Sequence, residues 1–230
     1  MIFRQLFDPA SSTLTYLIGD AVSKAAVIID PVADQSARDL ALIEALGLKL
    51  VCILDTHVHA DHVTGAAALT VVTGAPTAVG MACEAPGYER QLVGGDRVTF
   101  GNEVIHVIAT PGHTPGSLTF QWRDRVFTGD ALLIGGCGRT DFQNGSADQI
   151  YSSVTGTLFT LPDETLVYPG HDYKGRRVSS VGEEKLLNAR FAGKTREQFI
   201  ALMAALDLPR PKLIDIAVLA NKRAGESHAA

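Results

Sequence analysis

Cysteine is scarce in this chain. Cys52, Cys83 and Cys137 are the three present, an odd count with no CxxC pair. That excludes a disulfide framework and fits a reducing compartment. No apolar run approaches the roughly 18 residues that cross a bilayer, so no membrane span is expected. Basic charge is not in excess: 20 Lys and Arg face 25 Asp and Glu, a net charge of −5, with a pI near 5.8. Such a balance argues against a nucleic-acid partner. The start, Met1 to Phe7, carries Arg4 and Gln5 and is too short and polar for a signal-peptide core, so a cytoplasmic setting is expected. No GxGxxG follows an expected strand, which leaves out the dinucleotide fingerprint. No internal repeat, low-complexity block or linker interrupts the chain. At 230 residues it suits one large domain, with a short helical C-terminal extension from about 180.

Hydrophobic spacing gives the elements. Phe3–Phe7, Leu14–Ile18 and Ala25–Ile29 read as strands, the third ended by Asp30-Pro31. Ser36 to Leu46 has helical apolar spacing, with Ser36 as N-cap. Leu50–Leu54 is a continuous apolar run, typical of a strand covered on both faces. Val63 to Val72 reads as a helix. Val98–Phe100 and Val104–Ile108 flank the turn Gly101-Asn102, and Leu118–Trp122 pairs with Val126–Thr128. A helix follows over Asp148–Leu158, then a last strand over Thr165–Tyr168, then helices over Glu183–Asn188 and Arg196–Leu206. Two runs of strands, each followed by helices, predict two stacked sheets with helices outside.

The chemistry is concentrated in Thr56-His57-Val58-His59-Ala60-Asp61-His62, directly after the apolar run. Three imidazoles and a carboxylate within six residues can hold one or two transition-metal ions. In extended chain His57 and His59 would point the same way. Three further polar residues stand at strand exits: His113 in Thr110-Pro111-Gly112-His113-Thr114-Pro115-Gly116, Asp130 in Thr128-Gly129-Asp130, and His171 in Pro169-Gly170-His171. Each follows a glycine, which lets backbone approach a crowded site. Strand-end loops are where rigid scaffolds display chemistry. Of the seven histidines, His106 sits mid-strand and reads as structural, and His228 in the tail is given no role.

HxHxDH, followed by a histidine in PGHTPG, an aspartate in TGD and a distal PGH, resembles the metallo-β-lactamase superfamily over nearly the whole chain. The resemblance implies an α/β protein, an αββα sandwich of two mixed sheets flanked by helices, with its metal site at one edge. Within it, Cys137-Gly138-Arg139-Thr140-Asp141-Phe142-Gln143 resembles the persulfide dioxygenase family. Tyr168-Pro169-Gly170-His171-Asp172-Tyr173 and Leu208-Pro209 are similar to it too. Gly135 departs from a frequent arginine, and Ala189 and Leu219 from common prolines.

That resemblance implies one Fe(II) per chain, held by His57, His113 and Asp130. His59, Asp61, His62 and His171 would orient those ligands through hydrogen bonds. The implied reaction turns glutathione persulfide, O2 and water into glutathione and sulfite, with no other cofactor. Glutathione carries two carboxylates, so Arg139, Tyr173 and Lys174 are the candidate substrate contacts. Arg176 and Arg177 read equally well as solvated surface. Cys137 reads as a small buried hydrophobe, with an oxidisable pocket thiol as the minor reading. A homodimer is implied by the resemblance alone. The rival is a glyoxalase II-like thioesterase with two metal ions bridged by Asp130. A metal-holding sensor without turnover is the other alternative.

Overall fold

The computed structural model describes residues 1–226, so His228 lies outside the described residues. Two six-stranded sheets stack face to face. The first has the order β1 (Ile2–Asp8), β2 (Thr13–Gly19), β3 (Ala25–Ile29), β4 (Lys49–Leu54), β5 (Thr77–Gly80) and β6 (Arg90–Leu92). β1, β2 and β3 pair antiparallel, and β3 to β6 run parallel. The second sheet runs, from its far edge, β12 (Ser179–Ser180), β11 (Leu166–Pro169), β10 (Arg125–Gly129), β9 (Leu118–Trp122), β8 (Glu103–Ala109) and β7 (Arg97–Phe100). Only β10 and β11 pair parallel there. Both sheets are mixed, as the resemblance implied.

Three apolar cores follow from this layering. Between the sheets lie Leu14, Tyr16, Val27, Leu54, Phe120, Trp122 and Phe127. The rings of Tyr16 and Phe127 meet across the layers at 4.8 Å. The outer face of the first sheet is covered by α1 (Ser36–Ala45) and α2 (Ala66–Thr73), through Ile43 and Leu69. The outer face of the second is covered by α3 (Ala147–Gly156), α4 (Val181–Leu187) and α5 (Arg196–Ala204), through Ile150, Val154, Val181 and Phe199. The last helix, α6 (Ile214–Asn221), returns to the first sheet, where Val218 packs against its outer core. The order is therefore helix, sheet, sheet, helix.

Several local expectations change. β5, β6 and β12 were not expected, so Thr165–Tyr168 is not the last strand. Ser36 is the first residue of α1 and makes no capping bond; Gln35 holds the cap position. α2 begins at Ala66, because residues 55–65 form an irregular loop. Strand direction places the site: β8, β10 and β11 run the same way, so the loops carrying His113, Asp130 and His171 leave one common edge.

Candidate metal centre

The loop after β4 is irregular rather than extended, yet it gathers its histidines. The His57 and His59 rings lie 4.1 Å apart, and His57 meets the His113 ring at 4.7 Å, edge-on at 89°. Two buried carboxylates shape this loop. Asp30, at the end of β3, accepts from the Thr56 N–H (2.7 Å), the Thr56 hydroxyl (2.9 Å) and His59 Nε2 (3.1 Å). Asp55 accepts from the Tyr88 hydroxyl (2.6 Å) and the Thr64 hydroxyl (2.9 Å).

These contacts settle proton positions at the two candidate ligand histidines. Thr56 has a single hydroxyl proton, and Asp30 takes it. The Thr56 oxygen, 3.0 Å from His57 Nδ1, therefore accepts, so Nδ1 carries the proton and Nε2 keeps its lone pair. His113 Nδ1 lies 2.7 Å from the Arg139 carbonyl, which can only accept, so Nδ1 carries a proton and Nε2 is the ring nitrogen left for a metal. That Nε2 faces Asp130 Oδ2 at 3.5 Å, and Asp130 Oδ1 is buried without a hydrogen-bond partner. Two imidazoles whose Nδ1 atoms are already taken, together with a carboxylate, make a donor set that a divalent cation completes. Ligand atoms of His57, His113 and Asp130 all lie within 4.8 Å of one another. Burial, with the neighbouring His59 and His113 rings, holds His57 well below the usual histidine range, as a neutral ligand requires.

The remaining residues of the motif form a flank to this triad. His62 Nδ1 is 3.0 Å from Asp61 Oδ2 and 3.2 Å from the Thr13 hydroxyl. His171 Nε2 stands between Asp130 Oδ1 (3.4 Å) and Asp61 Oδ2 (3.7 Å). Burial opposes charge at His59, but Asp30, through its charge and hydrogen bond, and Asp55 outweigh it and push the ring up to about 10. Burial likewise pushes Asp61 upward, yet the His171 and His62 imidazoles hold its carboxyl well below the usual range. Two glycines are required by proximity. A Cβ on Gly138 would stand 2.5 Å from the Asp130 carbonyl oxygen, and one on Gly129, at φ +49°, 2.5 Å from Thr56 Oγ1.

A cavity of about 790 Å³ opens on this centre, walled by residues 133–139, the loop after His171 and the C-terminal segment. Its size suits a tripeptide-sized ligand. All three candidate substrate contacts line it. Arg139, however, already donates to both Asp141 oxygens (2.7 and 2.6 Å) and to the carbonyls of Pro209 and Leu208 (2.7 and 3.2 Å). Tyr173 is exposed and its ring stacks on His171 at 5.4 Å. Lys174 is exposed, and its ammonium has no ion-pair partner among the described residues. Arg176 pairs with Glu183 at 2.6 Å.

Sequence reading passed over Arg190. This half-buried guanidinium lines the cavity, donates only to sulfur (Met203 at 3.0 Å, Cys137 at 4.0 Å) and has no carboxylate partner among the described residues. Cys137 is buried, and burial pushes its thiol up to about 12, which fits the hydrophobe reading better than the reactive one. Sequence reading also passed over Gln143, whose amide donates to the Val58 carbonyl at 2.8 Å, and Asn221. Gln143 lies in the Arg139-to-Gln143 motif and could have been found there.

Fold and site together define the class. Residues 8–171 match the family model of the Metallo-beta-lactamase superfamily. The human protein Persulfide dioxygenase ETHE1, mitochondrial, is 46% identical over 98% of this chain and 89% of its own length. A crystal structure of ETHE1 from Myxococcus xanthus superposes with a TM-score of 0.97 at 57% identity, covering 98% of this chain and 100% of that one. A hydroxyacylglutathione hydrolase of Rhodospirillum rubrum is more distant, 38% identical over 71% of this chain and 63% of its own. The chain belongs to the persulfide dioxygenase family of that superfamily. The cytoplasmic expectation is corrected by the same comparison, since the human relative is mitochondrial. An address is read from a segment apart from the folded body, so fold and composition carry no trace of it. Among the described residues no helix is long and apolar enough to cross a membrane.

Proposed function

We propose that this chain is a persulfide dioxygenase that oxidises glutathione persulfide with O2 and water to glutathione and sulfite. The outer sulfur rises from oxidation state zero to plus four, and O2 accepts those four electrons, so no further reductant is needed. One Fe(II) per chain is the proposed metal, held by His57, His113 and Asp130. The observation that carries the reading is the convergence of His57, His113 and Asp130, whose ligand atoms all lie within 4.8 Å of one another while each ring's Nδ1 is taken by its own acceptor. When bound in such a two-histidine, one-carboxylate set, ferrous iron offers open coordination positions for substrate sulfur and for O2.

The chain's own residues do the rest. Thr56 and the Arg139 carbonyl fix the tautomers of the ligand imidazoles. Asp30 holds His59 by its Nε2, and Asp61 with Thr13 holds His62 by its Nδ1. His59, Asp61 and His62 form a second group within 4.8 Å, so the proposed count of one metal follows the family resemblance and is read directly by metal quantitation. The cavity takes the glutathionyl body. Arg190 and Lys174, the cavity-lining cations without carboxylate partners among the described residues, receive its carboxylates, and Tyr173 covers His171 at the rim. A homodimer belongs to the same proposal; the exposed Leu213, Ile216 and Leu219 support it, and sedimentation velocity tests it.

The deciding experiment is anaerobic purification with metal quantitation, followed by oxygen-electrode assay with glutathione persulfide. About one iron per chain and sulfite formed in step with O2 consumed is the expected result. Two zinc ions with turnover of S-lactoylglutathione and no O2 uptake would establish the hydrolase instead.

A further inference from the structure

Two of the three candidate ligand loops are steadied from far down the chain. Asn221 ends α6, is fully buried, and spends its whole amide on the His57–Thr64 loop. Its Oδ1 accepts from the Thr64 N–H at 2.9 Å, and its Nδ2 donates to the carbonyls of His59 (2.9 Å) and His62 (2.8 Å). That loop is irregular, so the amide supplies the pairing a neighbouring strand would otherwise give. On the other side, Arg139 presents its carbonyl to His113 Nδ1 and sends its guanidinium to the carbonyls of Leu208 and Pro209. Segment 205–221 therefore touches the His57 loop through Asn221 and the His113 support through Leu208 and Pro209. The superfamily match ends at residue 171, so segment 205–221 lies outside the matched part.

We infer that segment 205–221 is a brace that positions the metal ligands, with Asn221 and Arg139 as its two points of contact. Asn221 and Arg139 act as positioning residues, through the loops they hold. The inference rests on His57, His113 and Asp130 being the ligands, and not on persulfide chemistry. Without the Asn221 amide, two carbonyls and an N–H in the loop lose their partners, and the loop shifts to find others. A shifted loop loses the spacing that lets imidazole and carboxylate close on one ion. The brace accordingly sets metal affinity more strongly than it sets the stability of the metal-free fold.

The test uses the full chain and Co(II) as the probe, read by chelator competition and by its visible absorption bands. Asn221→Leu keeps the shape and removes the hydrogen bonds. Arg139→Met removes the guanidinium and leaves the backbone carbonyl on His113. Asp20→Asn, at the end of β2 away from the metal loops, serves as a destabilised control. The expected result is Co(II) affinity about 10- to 100-fold weaker in both brace variants, with altered bands, and unchanged in the control. Affinity within about twofold of the parent in both variants, or an equal loss in the control, overturns the brace. If Asn221→Leu does not fold, Arg139→Met decides alone. A His57→Ala chain that binds Co(II) like the parent overturns the ligand assignment, and the brace with it.

Discussion

At the residue scale, the molecule separates ligands from the groups that prepare them. Thr56 is the clearest of the latter, because one hydroxyl both donates to Asp30 and accepts from His57. Thr56→Val keeps the shape and is expected to weaken metal binding about 10- to 100-fold, whereas Thr56→Ser stays near the parent; competition with a chelator measures both. Arg190 is the corresponding test of substrate reading. Arg190→Met should raise KM for glutathione persulfide roughly tenfold or more, the worth of one charge-assisted hydrogen bond, and leave KM for an uncharged alkyl persulfide near the parent's. An equal effect on both substrates would sink the carboxylate role. The candidate ligands were legible in the sequence because His57, His113, Asp130 and their neighbours carry their chemistry in short motifs. Asp30, Arg190 and Asn221 were not, because their roles are contacts across long chain separations and a lone Asp, Arg or Asn carries no spacing signal.

At the element scale, strands with clear apolar patterns were readable to within a residue or two, as β3 and β9 show. β5, β6 and β12 escaped because two to four residues carry no usable period. Asp20 ties the elements together: it closes the turn between β2 and β3 and accepts from Asn102 of the second sheet's β7–β8 turn. Hydrogen bonds from the Asn102 and Val22 backbones and the Ser23 hydroxyl hold its carboxyl well below the ordinary range. A depressed carboxyl stabilises fully above its unfolded value, near 3.9, and loses that contribution as pH falls through the folded value. The urea midpoints of parent and Asp20→Asn should therefore differ at neutral pH and converge as pH drops below about 4. A gap that stays constant with pH would assign Asp20 a purely steric part.

At the scale of the whole molecule, sheet directions bring the loops of β8, β10 and β11 to one edge, and β4 adds the His57 loop there. Metal bound only by the folded arrangement must stabilise it. Saturation at a hundredfold excess over Kd is expected to add about 2.7 kcal/mol to unfolding, and a chelator to remove it, as differential scanning calorimetry can record. The αββα layering was legible from the order of strand runs and helices together with the motif resemblance. The path of the chain after 180, back to the first sheet, was not, since no local pattern in α6 says which sheet it will cover. One consequence follows from the triad's division between the layers, with His57 from the first sheet and His113 and Asp130 from the second. An ion held by that triad would act as a rivet through two plates, and slippage between them, from a trimmed ring at Tyr16 or Phe127 for instance, would become a change in its bite. Damage deep in the interior would thus surface as a tuned or detuned reaction long before the plates come apart.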